Sequence, residues 1–140
     1  MRHTQADTTD TETLTLVERY LREFDLMEQP LWLTTDRSTF ERWLGRRVRA
    51  SCGGAYVFLH ENQRHAVLIN LKRIDRTRPN ALEIVVVEEL IHMLDRVKGD
   101  FRRHAHHGHD RIARKVAAVM GVSSEDIRSC LIPVRRRLPR

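Results

Sequence analysis

Cysteine is scarce in this chain: Cys52 and Cys130 are the only two in 140 residues. That excludes a disulfide framework or a four-cysteine zinc ribbon within one chain. No apolar run approaches the ~20 residues a bilayer-spanning helix needs. The first residues, Met1-Arg2-His3-Thr4-Gln5-Ala6-Asp7, lack the apolar centre of a secretory leader. Aromatic residues make up only 6%, so no stacking platform for bases accompanies the basic residues. Together these absences predict a cytoplasmic protein with reduced thiols and no membrane partner.

What is present fits one globular domain, with 41% hydrophobic and 31% charged residues. The net charge of +6 is unevenly spread: residues 1–30 hold seven acidic and three basic groups, a net of −4, leaving +10 for the rest. Basic clusters stand at Arg46-Arg47-Val48-Arg49, at residues 73–78, at Arg102-Arg103 and at Arg135-Arg136-Arg137. Such a field attracts polyanions, which makes Arg46, Arg47, Arg49, Arg135, Arg136 and Arg137 candidate contacts for DNA or RNA. Solvated arginine faces are the plainer explanation.

Residues 1–9 are polar and expected to be disordered, residues 10–132 to form the domain, and residues 133–140 to be a basic tail. Thr9-x-x-Glu12 reads as a capping box before a helix from about Asp10 to Asp25, with Leu14, Val17, Leu21 and Phe24 on its apolar stripe. Leu31-Trp32-Leu33 is a linker or short strand. Ser38-x-x-Glu41 opens a short helix that Gly45 ends. Residues 55–59 and 66–71 are rich in β-formers around a polar turn, which predicts an antiparallel hairpin, with a further strand near residues 47–51. Gly53-Gly54 marks a bulge or turn. Asn80 then caps a helix from Ala81 to Lys98, apolar on nearly every side and therefore central. Two more helices follow, one ending at Gly121 and one capped by Ser123 or Ser124. The predicted class is α+β.

The chemistry concentrates in the central helix. Glu88 and His92 are one turn apart, so both side chains can hold one metal ion, with Glu89 at the rim as general base. A carboxylate among valine, leucine and isoleucine needs a compensating charge, and a metal ion supplies it. An alternative is that arginines from other elements meet the carboxylates. Half of the eight histidines fall at His104, His106, His107 and His109. One of them, at the start of the following helix, would complete the site.

These residues resemble a known family. Glu88-Glu89-Leu90-Ile91-His92, followed by His107-Gly108-His109-Asp110, is similar to the His-Glu-x-x-His … His-Gly-x-x-aromatic pattern of SprT-like (Spartan-type) zinc metallopeptidases. Ile69-Asn70-Leu71 at the end of the hairpin adds to the likeness, which covers about residues 40–121. The resemblance implies a zincin-like fold, a small antiparallel sheet beside a metal-binding helix, and a protein or peptide substrate. It also implies a Zn2+ site of Glu88, His92 and His107, with Glu89 as the catalytic base. His104, His106 and His109 are candidate stabilisers of the transition state. Two departures stand out. Glu88 replaces the first histidine, giving a ligand set still suited to zinc but also to Fe2+ or Mn2+. Arg111 stands where the family has an aromatic residue.

A carboxylate-bridged di-iron protein would share the Glu89-x-x-His92 spacing, but it needs a second Glu-x-x-His, which this chain lacks. The stronger rival is a catalytically inactive zincin-like domain that binds a metal, nucleic acid or a protein.

Overall fold

The computed structural model describes residues 2–100 and 106–133, with residues 106–110 described by their backbone alone. Where the sequence leads one to expect disorder, the chain opens on strand β1 (Thr4–Asp7). Its side chains are mostly exposed, so backbone pairing holds it: β1 lies parallel to β2 (Leu31–Thr34), with Thr4 opposite Leu31 and Asp7 opposite Thr34. A polar composition hides such a strand.

Between these strands runs α1 (Thr11–Glu23), which starts from Asp10 rather than Thr9. The Asp10 carboxylate accepts the Thr13 backbone N–H at 3.0 Å and the Thr13 hydroxyl at 2.6 Å. Arg76 donates to the same carboxylate and is the main reason its pKa falls to about 2. Helix α2 (Arg37–Leu44) likewise takes Asp36 as its cap in place of Ser38, and ends at Gly45 with φ 72°. In both helices an aspartate occupies the place expected of a hydroxyl residue, since its charged oxygen is the stronger acceptor.

Strands β3 (Gly54–Leu59) and β4 (Arg64–Ile69) form the expected antiparallel hairpin. The sheet they join is mixed, however, not a small antiparallel one. β4 also pairs parallel with β2, and the strand order is β1-β2-β4-β3. The further strand expected near residues 47–51 is a loop instead. Its arginines are exposed and offer no apolar alternation to bury.

Helix α3 (Ala81–Val97) runs through the apolar stretch at residues 84–87, as expected. Asn80 precedes it with φ 60° and makes no side-chain cap, contrary to expectation. α4 (His106–Met120) and α5 (Ser124–Arg128) follow, the latter capped by Ser123.

The two faces of the sheet are covered differently. Leu31, Leu33, Val67 and Ile69 pack with Val17, Tyr20 and Leu21 of α1 and with Ile84, Leu90 and Met93 of α3. On the opposite face Leu59, Ala66 and Leu68 pack against Phe40 of α2. The result is a single α+β domain with β3 at one edge and α3 along one face. No described helix is long and apolar enough to cross a membrane.

Candidate metal centre and substrate groove

A groove of about 880 Å³ runs along the outer edge of β3, between α3 and the loop that follows α2. Glu88, Glu89 and His92 all line it. Helical geometry explains the placement: α3 buries Val85, Val86, Leu90 and Met93 in the core, which turns Glu88 and His92 toward the half-buried stripe beside β3. The spacing that suggested two donors for one cation therefore does bring both to one cavity.

Glu89 lies deeper and is only 5% exposed. No hydrogen bond or guanidinium from the described residues reaches its carboxyl. Burial, and secondarily the neighbouring charge of Glu88, raises its pKa well above the usual carboxylate value. Space for it comes from Gly54, the first residue of β3. A Cβ at that position would stand 2.7 Å from Glu89 Oε2 and 2.9 Å from its Cγ.

The turn that delivers Gly54 is fixed from β4. Asn70, 4% exposed, donates its side-chain N–H to the Cys52 carbonyl at 2.8 Å, and its backbone N–H to the Gly53 carbonyl at 2.9 Å. The Cys52 thiol donates to the Gly54 carbonyl at 2.6 Å. Burial, with Glu89 close by, raises the Cys52 pKa, so it stays a thiol.

The open edge of β3 has a definite register. The bond from Asn70 to Gly53 marks that pair as hydrogen-bonded, and such pairs alternate along an antiparallel ladder. Ala55, Val57 and Leu59 therefore direct their backbone groups to β4, while Tyr56 and Phe58 direct theirs outward. Among the described residues nothing pairs with that outer row. Behind it, the Tyr56 hydroxyl donates to His65 Nδ1 at 2.7 Å, and His65 Nε2 donates to Gln29 Oε1 at 3.1 Å. Burial, aided by the charge of Arg96, depresses His65 to about 4 and keeps it neutral, which this bonding pattern requires. Arg96 also stacks its guanidinium over Phe58, 4.6 Å from the ring centre.

Arg46, Arg47 and Arg49, read from the sequence as nucleic-acid candidates, line the same groove on the α2 side. Their loop is anchored at Val48, whose N–H donates to Glu41 Oε2 at 2.7 Å and whose carbonyl accepts from Arg37 at 3.0 Å.

Helix α4 packs on α3, and its first turn carries the backbone of His106, His107 and His109. Their side chains, all of His104 and the tail arginines Arg135, Arg136 and Arg137 lie outside the described residues. Among the described residues no three His, Cys, Asp or Glu side chains converge on one point. Any third protein ligand beside Glu88 and His92 would thus come from outside that set. Arg111, the departure from the family pattern, has a clear task. It donates to Asp95 at 3.0 Å and to Asp100 at 3.1 Å, while Lys115 reaches the other Asp95 oxygen at 2.7 Å. This cluster ties the start of α4 to the end of α3.

Sequence reading missed the Asn70 bracket, the Glu89–Gly54 approach and the Arg111–Asp95 pair. The adjacent glycines at 53 and 54 were the visible trace of the second. The other two join residues 16 or more apart and leave no periodic signal. No protein-family model, no curated protein and no solved structure matches this chain.

Proposed function

We propose that this protein is a zinc-dependent peptidase of the SprT-like kind, with Glu89 as its general base. The observation that supports this best is Glu89 itself: a desolvated carboxyl beside two metal-competent donors, in a groove floored by an unpaired strand edge. A proton acceptor for catalysis near neutral pH needs a pKa raised by such surroundings.

The donors suit a zinc ion. A carboxylate and an imidazole one helical turn apart are two of the three protein ligands of a His₂Glu site, and His107 on α4 is the proposed third. Such an ion would supply a water of lowered pKa and polarise the scissile carbonyl. The chain's own residues would do the rest. An extended substrate adds to β3 by bonding to the outward backbone groups of Tyr56 and Phe58. Glu89 takes the proton of the attacking water and passes it to the leaving amine. Gly54 keeps the Glu89 carboxyl in place, and Asn70 keeps Gly54 in place.

Glu88, in the position of a histidine, favours a second reading: an inactive domain that retains the groove as a binding surface. One pair of measurements separates the two. Purified protein should carry close to one zinc per chain and cleave unfolded protein, and Glu89→Gln should abolish cleavage while keeping the metal. Metal-bound protein without proteolysis establishes the inactive domain. Protein holding no metal and cutting nothing overturns the peptidase.

A further inference from the structure

We infer that the groove selects extended protein segments carrying acidic side chains at alternate positions, read by Arg46, Arg47 and Arg49. The inference rests on the proposed use of the β3 edge as a substrate-binding strand. It adds what that edge would choose.

A peptide strand added to β3 has side chains that alternate between the two faces of the sheet. One set would lie on the α3 side, beside Glu88, His92 and Arg96. The other set would lie on the α2 side, beside Phe40, Leu44 and the loop bearing Arg46, Arg47 and Arg49. The three arginines are exposed, and among the described residues none of them makes an ion pair. In this chain exposed arginines commonly do find a carboxylate, as Arg19 does with Glu23, Arg22 with Glu18 and Arg76 with Asp10. The anchoring of Val48 by Glu41 and Arg37 holds the loop against the groove. One wall of the groove is therefore basic and uncommitted.

The opposite wall decides what kind of anion fits. It holds Glu88 and Glu89, whereas the Asp95 and Asp100 that also line it are paired with Arg111 and Lys115. A nucleic-acid strand carries a negative charge at every step and would bring some of those charges against the Glu88 side of the groove. A peptide can place carboxylates on the arginine side only and neutral or basic side chains on the other. The division of charge across the groove thus matches the period of a β-strand and not that of a phosphate backbone.

The test measures binding apart from cleavage. Full-length protein carrying Glu89→Gln is titrated into fluorescently labelled ten-residue peptides with glutamate, lysine or glutamine at alternate positions, and binding is read by anisotropy. The glutamate peptide should bind about tenfold or more tighter than the lysine peptide. The triple change Arg46→Glu, Arg47→Glu, Arg49→Glu should reverse that order, and the triple change to lysine should keep it. Circular dichroism confirms that both variants fold. Equal affinity for the three peptides overturns the inference, as does a glutamate preference that survives the change to glutamate. An oligonucleotide of equal charge that displaces the glutamate peptide at lower concentration overturns it in favour of nucleic acid. Cleavage by the wild type is read separately by mass spectrometry. Acid-selective binding without cleavage sinks only the peptidase reading, and cleavage without charge preference sinks only this one.

Discussion

The carboxyl of Glu89 rests against the α-carbon of Gly54, so closely that a single methyl group there would stand 2.7 Å from Oε2. The strand and the helix that make the groove are thus in register through one missing side chain. Gly54→Ala must displace the Glu89 carboxyl or push β3 away from α3. Overpacking of this kind costs about 1–3 kcal/mol, which leaves the domain folded. A displacement of about 1 Å at a catalytic group lowers turnover on the order of 100-fold. Proteolysis assays and thermal melts on the same preparation check both, and a variant that cuts at the wild-type rate refutes this role for Gly54.

Glu88 can be tested from both directions. Glu88→Ala removes one proposed ligand, and zinc affinity should fall by more than the roughly 10–100-fold that loss of an outer-shell partner costs. Glu88→His supplies a softer donor at the same point of the helix, so affinity for zinc should rise relative to manganese. Competition titrations with a chromophoric chelator give both numbers. Unchanged affinity in Glu88→Ala would remove this residue from the site.

Acid should weaken the fold through His65. Its folded-state pKa of about 4 lies below the ordinary imidazole value of 6.5. Between these values the unfolded chain takes up a proton that the folded chain refuses. Stability from this group is complete above about pH 6.5 and is lost as pH falls toward 4. Glu89 acts in the opposite sense: its raised pKa means the folded form holds a proton that the unfolded form has released, so stability falls as pH rises from the ordinary carboxylate range through the folded-state value. Melting temperatures from pH 7 to pH 4.5 should therefore drop more steeply for wild type than for His65→Gln. Parallel curves would show that the Tyr56–His65–Gln29 chain does not hold the imidazole neutral.

Arg111 is expected to carry the junction of α3 and α4. Its partner Asp95 has 7% side-chain exposure, and Arg111→Met would leave that carboxylate with Lys115 as its remaining cationic partner among the described residues. Removing one member of a buried ion pair costs about 3–5 kcal/mol. Replacing both, as Arg111→Met with Asp95→Leu, should cost less than the single change. Urea denaturation measures each. If the proposed ligand His107 depends on this junction, Arg111→Met should also weaken zinc binding. A single change costing under about 1 kcal/mol would show that the pair is incidental.

The elements that sequence reading found are those whose signal is local. The apolar stripe of Leu14, Val17 and Leu21, the hairpin and the glycine stops at 45 and 121 all appear where their periodicity places them. So does the central helix, along with the spacing that brings Glu88 and His92 to one cavity. What escaped depends on distant pairing. β1 is polar, and only the backbone of β2 makes it a strand. The mixed sheet order follows from β2 and β4 meeting in parallel, which no local pattern encodes. The arginines at 46, 47 and 49 announced themselves by charge, but only the fold shows that they face the same cavity as the carboxylates. The two misassigned helix caps have another origin, since Thr9 and Ser38 were plausible hydroxyl acceptors and the nearby aspartates were stronger ones.

The unpaired outer row of β3 also bears on how the molecule behaves in crowded solution. A bare strand edge is a template for the same edge on a neighbouring molecule, and natural sheets protect such edges with charge. Two copies approaching edge to edge would bring their Arg46–Arg49 loops close together, and like charges would push them apart. Electrolyte shortens the reach of that repulsion to a few ångströms at about 1 M. Concentrated brine, which usually disperses electrostatic aggregates, is therefore the condition under which this domain should begin to pair with itself.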